Sequence, residues 1–142
     1  MDESLSDEAL VALPAGGLAD LVRSRRASSV EVVRAHLERI ERVDPGLNAV
    51  VAPAAERALE EARAADRALA RGRPAGPLHG VPVTVKDSFD TGGVVSTWGT
   101  LGRARYVPAS DASAVARLRA AGAILLGKTN TSELTMSYET EA

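Results

Sequence analysis

Of the 17 basic residues in this chain of 142, only two, Lys86 and Lys128, are lysine. Arginine stays protonated at any accessible pH, whereas a desolvated lysine can become a neutral amine and act as a base. In a chain that uses arginine almost everywhere, lysine marks positions where a guanidinium does not serve. Lys86 closes the apolar run Gly80-Val81-Pro82-Val83-Thr84-Val85 and is followed by Asp87. That run predicts a buried strand delivering an amine at its end. The ordinary fate of a lysine is a solvated surface charge. The apolar approach and the scarcity of lysine move the reading towards a catalytic role.

Lys128 sits in Gly122-Ala-Ile-Leu-Leu-Gly127-Lys128-Thr129, which satisfies the phosphate-loop pattern G-x-x-x-x-G-K-[ST] letter for letter. Its context is wrong for that chemistry. A phosphate loop needs a strand before the first glycine and a flexible cradle between the two. Here Gly122 follows a helical pattern, and Ala-Ile-Leu-Leu reads as an apolar strand. A nucleotide-binding loop is therefore the remote alternative. The better reading leaves Lys128 and Thr129 at a strand end near the first lysine.

Other chemistries are narrowed by what the chain lacks. It has no cysteine, so disulfides, thiolate metal sites and a thiol nucleophile are excluded. His36 and His79 lie far apart, without companions at metal-ligand spacing. Nothing implies a cofactor or a metal. The formal net charge of −2, with both signs interspersed, argues against a nucleic-acid or anionic-membrane partner. Phe89, Trp98, Tyr106 and Tyr138 are the only aromatics, too few for a base-stacking platform. The N-terminus is acidic and the apolar stretches are short, so neither a signal peptide nor a membrane span is expected, and a cytoplasmic location is the default. At 45% hydrophobic and 25% charged, the chain has the composition of a folded domain.

The elements that must position these lysines change character at Gly72. Residues 1–71 read as a helical segment and residues 72–142 as the start of an α/β core. In the first part, Ser28 and Glu31 have capping-box spacing. Val30, Val33, Leu37 and Ile40 follow at helical steps until Asp44-Pro45-Gly46 stops the helix. His36 lies within it as a helix-surface residue. After a short Leu47–Ala52 segment, Pro53 is expected to open a second helix to about Arg71, with Arg57–Glu61 and Glu60–Arg63 pairing across turns. In the second part, Leu78–Val85 is the expected strand, with Pro82 implying an edge, a bulge or a start nearer Val83. A long glycine-containing connection through Gly92-Gly93 and Trp98-Gly99 follows, of a kind that is often functional. Ser110 and Asp111 are expected to cap a helix carrying Val115 and Leu118, closed by Gly122. Ala123–Leu126 reads as a short buried strand, parallel to the first through a right-handed crossover. Asn130 is expected to cap a third element.

Taken together, the run from Gly76 to Glu141, with GVPVTVKD and AILLGKTN at this separation, resembles the amidase signature family. That family includes bacterial amidases, the A subunit of the aminoacyl-tRNA amidotransferase, allophanate hydrolase and fatty acid amide hydrolase. The helical first part also looks like that family's N-terminal segment. The resemblance implies an α/β fold: N-terminal helices, then the first strand–helix–strand units of a mixed sheet, together forming the N-terminal portion of one amidase domain. It implies amide hydrolysis or amide-nitrogen transfer on a small-molecule linear amide, through a Ser–cis-Ser–Lys triad in which Lys86 is the catalytic lysine. By the same resemblance Thr135, Met136 and Ser137 line the substrate pocket. Lys128 could contribute through its charge.

The family pattern also places a bridging serine in a G-G-S-S-G-G segment and the nucleophile in a later D-T-G-G-S segment, both downstream of the region matching Glu141. Ser88, Ser96, Ser110, Ser132 and Ser137 lack the double-glycine surroundings that supply oxyanion donors. The expectation is a base without its nucleophile, inactive alone. Such a chain would be a truncated product, a piece of a longer polypeptide or a fragment. A homo-oligomer or a complementing C-terminal portion is the expected partner. The competing reading is a non-catalytic binding or assembly protein that keeps an amidase-like lobe.

Overall fold

The structure is a computed structural model and describes residues 5–139. Its elements are α1 (Asp7–Ala12), α2 (Ala15–Arg23), α3 (Ser29–Val43), β1 (Val50–Pro53), α4 (Ala55–Ala70), β2 (Pro82–Lys86), α5 (Ser113–Ala120) and β3 (Ile124–Thr129), with single 3-10 turns at Asp44–Gly46, Leu101–Arg103 and Glu133–Thr135. Helices precede a three-stranded mixed sheet ordered β1-β3-β2. β3 is central, parallel to β2 and antiparallel to β1.

The capping box forms as its spacing predicts. Ser28 Oγ accepts the Glu31 amide at 3.1 Å, and the Glu31 carboxylate accepts the Ser28 amide at 2.7 Å. The Ser28 donors hold the Glu31 carboxyl below its ordinary range. A second cap arrives from a distance. Asp66 on α4 accepts from the amides of Ser29 at 2.7 Å and Val30 at 3.2 Å, tying the start of α3 to α4. The Arg57–Glu61 pair closes at 2.8 Å.

The sheet has a covered face on each side because the buried residues of β3 alternate. Ile124 and Leu126 pack with Val33, Ala58 and Ala62 of α3 and α4. Leu125 packs on the other face with Val85, Val94 and Val115. A separate cluster joins α1 and α2 to α3 and to the entry of β2 through Leu10, Leu18, Val22, Val32 and Val81. His36 is half-buried on α3 with Nδ1 2.8 Å from its own helix at Val32 O. His79 is buried, accepting the Ala75 amide at Nδ1 and facing the Ala65 carbonyl with Nε2, both at 3.0 Å. Its two nitrogens are thus engaged by backbone.

Several local expectations are corrected. Part of Leu47–Ala52 is strand β1, recruited to the sheet by pairing with β3, and Pro53 ends that strand while α4 starts at Ala55. The leading strand begins at Pro82 because residues 77–80 turn, and it runs on through Lys86. Pro82 is tolerated because β2 is an edge of the described sheet, and the register shifts between Val83 and Thr84. β3 does not stop at Leu126 but continues through Gly127, Lys128 and Thr129. Ala112, not Ser110 or Asp111, precedes α5, and no side chain caps it; Asp111 instead accepts the Gly92 amide at 2.7 Å. Asn130 caps no helix and donates to Asn48 O at 3.3 Å, leaving only the short turn at Glu133–Thr135. Gly122 does close α5, at φ +95, where a Cβ would lie 2.7 Å from His79 Cα. Glu141, the last residue of the resembling run, lies outside the described residues. Among the described residues no helix is long and apolar enough to cross a membrane.

Candidate active site at the ends of the parallel strands

β2 and β3 run side by side and end together, with Val85 opposite Lys128 and Lys86 opposite Thr129. The carboxyl ends of parallel strands are where α/β sheets gather ligands. Residues opposite one another share a face and successive residues alternate. Val85, Asp87 and Lys128 therefore share one face, and Lys86 projects to the other. The two lysines, brought to one end of the sheet, have opposite environments. Lys86 is exposed, whereas Lys128 has 0% of its surface exposed. The strand that carries Lys86 is apolar as expected, but the buried amine belongs to the other lysine.

Lys128 Nζ donates to Phe89 O at 2.7 Å, Ser96 Oγ at 2.8 Å and Asp87 Oδ1 at 3.3 Å. An ammonium has three protons and no acceptor site, so these three oxygens match it fully. Burial pushes the Lys128 ammonium down from its ordinary range, while Asp87, and Asp90 beyond it, pull it back up and Arg103 adds a small downward push. Asp87, 1% exposed, accepts the Thr97 amide at 3.1 and 3.0 Å on its two oxygens and the Thr97 hydroxyl on Oδ2. Its own amide donates to Thr129 O at 2.9 Å, extending the β2–β3 ladder by one bond. Ser96 Oγ, fully buried, accepts from Lys128 and from the Thr91 amide and donates to Val94 O, each partner within 3.2 Å. That hydroxyl is committed and is no nucleophile.

The glycine-rich connection folds around this cluster. Arg103 lies between Trp98 and Tyr106, with its guanidinium carbon 4.4 and 4.0 Å from the ring centroids, and pairs with Asp90 at 2.9 Å. Asp90 also accepts from the Trp98 indole at 3.0 Å. Gly99, at φ +70, lets the loop press on the chain after β3, where a Cβ would meet Thr131 O and Ser132 O at 2.7 Å. Leu134 donates its amide to Trp98 O at 2.8 Å. Thr135, Met136 and Ser137 follow as an exposed segment on this platform, tied by Ser132 Oγ, which donates to Ser137 O at 2.8 Å. An open cleft of about 550 Å³ lies between β1 and the glycine-rich connection, lined in part by Pro53, Asp87, Thr97, Gly99 and Asn130 but not by Lys86, Thr135, Met136 or Ser137.

Sequence reasoning did not reach the Asp87–Ser96–Thr97–Lys128 cluster. Its signal was the all-apolar approach Ala-Ile-Leu-Leu-Gly to Lys128, the criterion that singled out Lys86. The same geometry removes the phosphate loop: Gly122 closes a helix, residues 124–129 are one strand, and the Lys128 amine is bonded within the fold.

Comparison with known proteins agrees with the architecture. Residues 31–142 match the family model Amidase. The A subunit of the glutamyl-tRNA(Gln) amidotransferase of Salinispora arenicola is 46% identical over 132 residues, covering 93% of this chain and 27% of that protein. The native peptide amidase of Stenotrophomonas maltophilia superposes with a TM-score of 0.80 at 37% identity, over 86% of this chain and 25% of that one. Fatty acid amide hydrolase shares the fold, with a TM-score of 0.89 at 24% identity over 96% of this chain and 24% of that one. Helices leading into a mixed sheet whose two parallel strands carry Lys86 and Lys128 at or next to their last residues make this an α/β chain of the amidase signature fold. The chain belongs to the amidase family. It spans about a quarter of the length of the relatives it matches.

Proposed function

We propose that this chain carries the catalytic base of an amidase that cleaves a linear amide, or transfers its nitrogen, by a Ser–cis-Ser–Lys mechanism, with Lys86 as the base. The observation that supports this most is the division between the two lysines. The Lys128 amine donates to three oxygens of the fold and has no exposed surface from which to reach a substrate. Lys86 ends β2 as an exposed residue, on the face opposite Lys128. As a neutral amine it would take a proton from a bridging serine, which takes one from the nucleophilic serine as that oxygen attacks the carbonyl. The resulting acyl-enzyme is released by water or by a second amine. Thr135, Met136 and Ser137 would line the pocket for the amide. Neither serine is assigned within these 142 residues, so both would come from segments outside them, which would also cover Lys86. We place the reaction in the cytoplasm. The similarity to an amidotransferase chain favours nitrogen transfer as one form of the reaction.

The test is an assay of the purified chain against simple amides, esters and hydroxamates. No turnover is expected, because loss of the nucleophile leaves only residual catalysis. Turnover that disappears in Lys86→Ala would show that a serine within these residues serves after all.

A further inference from the structure

We propose that Lys128 is a positioning residue, a tethered cation that fixes Asp87 and thereby the end of β2 that presents Lys86. The functional consequence rests on the reading of Lys86 as the base; the structural step does not. Asp87 is the residue next to Lys86 and is held from three sides. Its amide bonds Thr129 of β3, its carboxylate takes the Thr97 amide and hydroxyl, and Lys128 supplies the counter-charge at 3.3 Å. The other two protons of Lys128 bind Phe89 O and Ser96 Oγ, both in the connection that follows Asp87. One side chain of β3 thus gathers the strand end and the start of the loop around a single nitrogen. A methionine would fill the volume but offer none of the three donors. Arginine would bring a planar fork to a three-oxygen site with no exposed surface. The arrangement calls for a primary ammonium, and that requirement gives the test its discrimination.

Lys128→Ala removes three carbons and the nitrogen, which n-propylammonium supplies as a free ion. Hydrogen exchange is followed at the amides of Asp87, Thr97 and Ile124 in the 142-residue chain. Ile124 donates to Val81 O at the far end of the sheet and reports overall opening. In Lys128→Ala, protection at Asp87 and Thr97 should fall about tenfold or more beyond any fall at Ile124, because local opening then precedes global unfolding. n-Propylammonium should restore it, and tetramethylammonium, with the same charge and no N–H, should not. The Lys86 Cα chemical shift should move in the variant and return with n-propylammonium. Ser96→Ala, which removes one acceptor and no charge, should show the same local loss in weaker form and serves if the alanine variant does not fold. Parallel loss at all three amides, equal effects of the two salts, or no effect of Ser96→Ala would overturn the proposal. Because no turnover is measured, failure here is separable from failure of the amidase reading.

Discussion

Replacing Lys128 by methionine keeps most of the volume and deletes the cation, leaving the Asp87 carboxylate 1% exposed without a counter-charge. Removing one partner of a buried pair costs about 3–5 kcal/mol. The Thr97 amide and hydroxyl still solvate the carboxylate, which points to the lower part of that range. Asp87→Asn in the parent chain should cost a similar amount, since it strands the ammonium instead. With both substitutions no charge is buried. The Asn side-chain oxygen can still accept the Thr97 amide, and the remaining losses are the bonds to Phe89 O and Ser96 Oγ, roughly 1 kcal/mol each. The double variant should therefore be no less stable than either single one, with a coupling energy of about 3–4 kcal/mol. Urea unfolding followed by far-UV circular dichroism measures the global change. The fluorescence of Trp98, the sole tryptophan, reports the loop packed around the cluster. Additive effects, with the double variant losing the sum of the singles, would refute the buried-pair reasoning.

Stability should also rise with pH above neutrality. Burial lowers the Lys128 proton affinity in the folded chain, so between that lowered value and the ordinary lysine value of 10.5 the unfolded chain binds more protons. The cost of burying the charge is complete below the folded value and is relieved as pH climbs towards 10.5; Asp87, Asp90 and Arg103, the charges facing the amine, set how wide the window is. Urea midpoints measured across that range should move upward in the parent chain and lose this component in Lys128→Met. Ser28→Ala should cost about 1 kcal/mol through loss of the cap on α3. Part of the box's contribution should vanish as pH falls through the lowered Glu31 value, below its usual 4.5. Gly122→Ala should cost roughly 1–3 kcal/mol or more, since φ is +95 and the new Cβ meets His79 Cα at 2.7 Å; a midpoint unchanged in urea would contradict the close approach.

The features legible in the sequence were those set by near neighbours. The capping box of Ser28 and Glu31, the Arg57–Glu61 pair and the glycine closing α5 each depend on residues a turn apart, and each formed. The two lysines were correctly brought to adjacent parallel strand ends, because apolar runs separated by a helix leave little other topology. What escaped was decided at long range. Val50–Pro53 became a strand only because β3 offers an edge to it, and Asp66 caps α3 from another helix. Which lysine is buried could not be read from two similar apolar approaches. The pleat decides it: Lys128 falls on the face shared with Asp87, and Lys86 on the opposite face, where it is exposed.

The central claim is that Lys86 donates a lone pair to chemistry while Lys128 only holds structure. The most direct measurement is kcat for the cleavage of a simple amide by this chain after complementation with the remaining portion of a related amidase. Activity should appear on complementation and be lost in Lys86→Arg, although that variant still binds the complement, because arginine does not give up its proton. Wild-type turnover by the complemented Lys86→Arg chain would contradict the account.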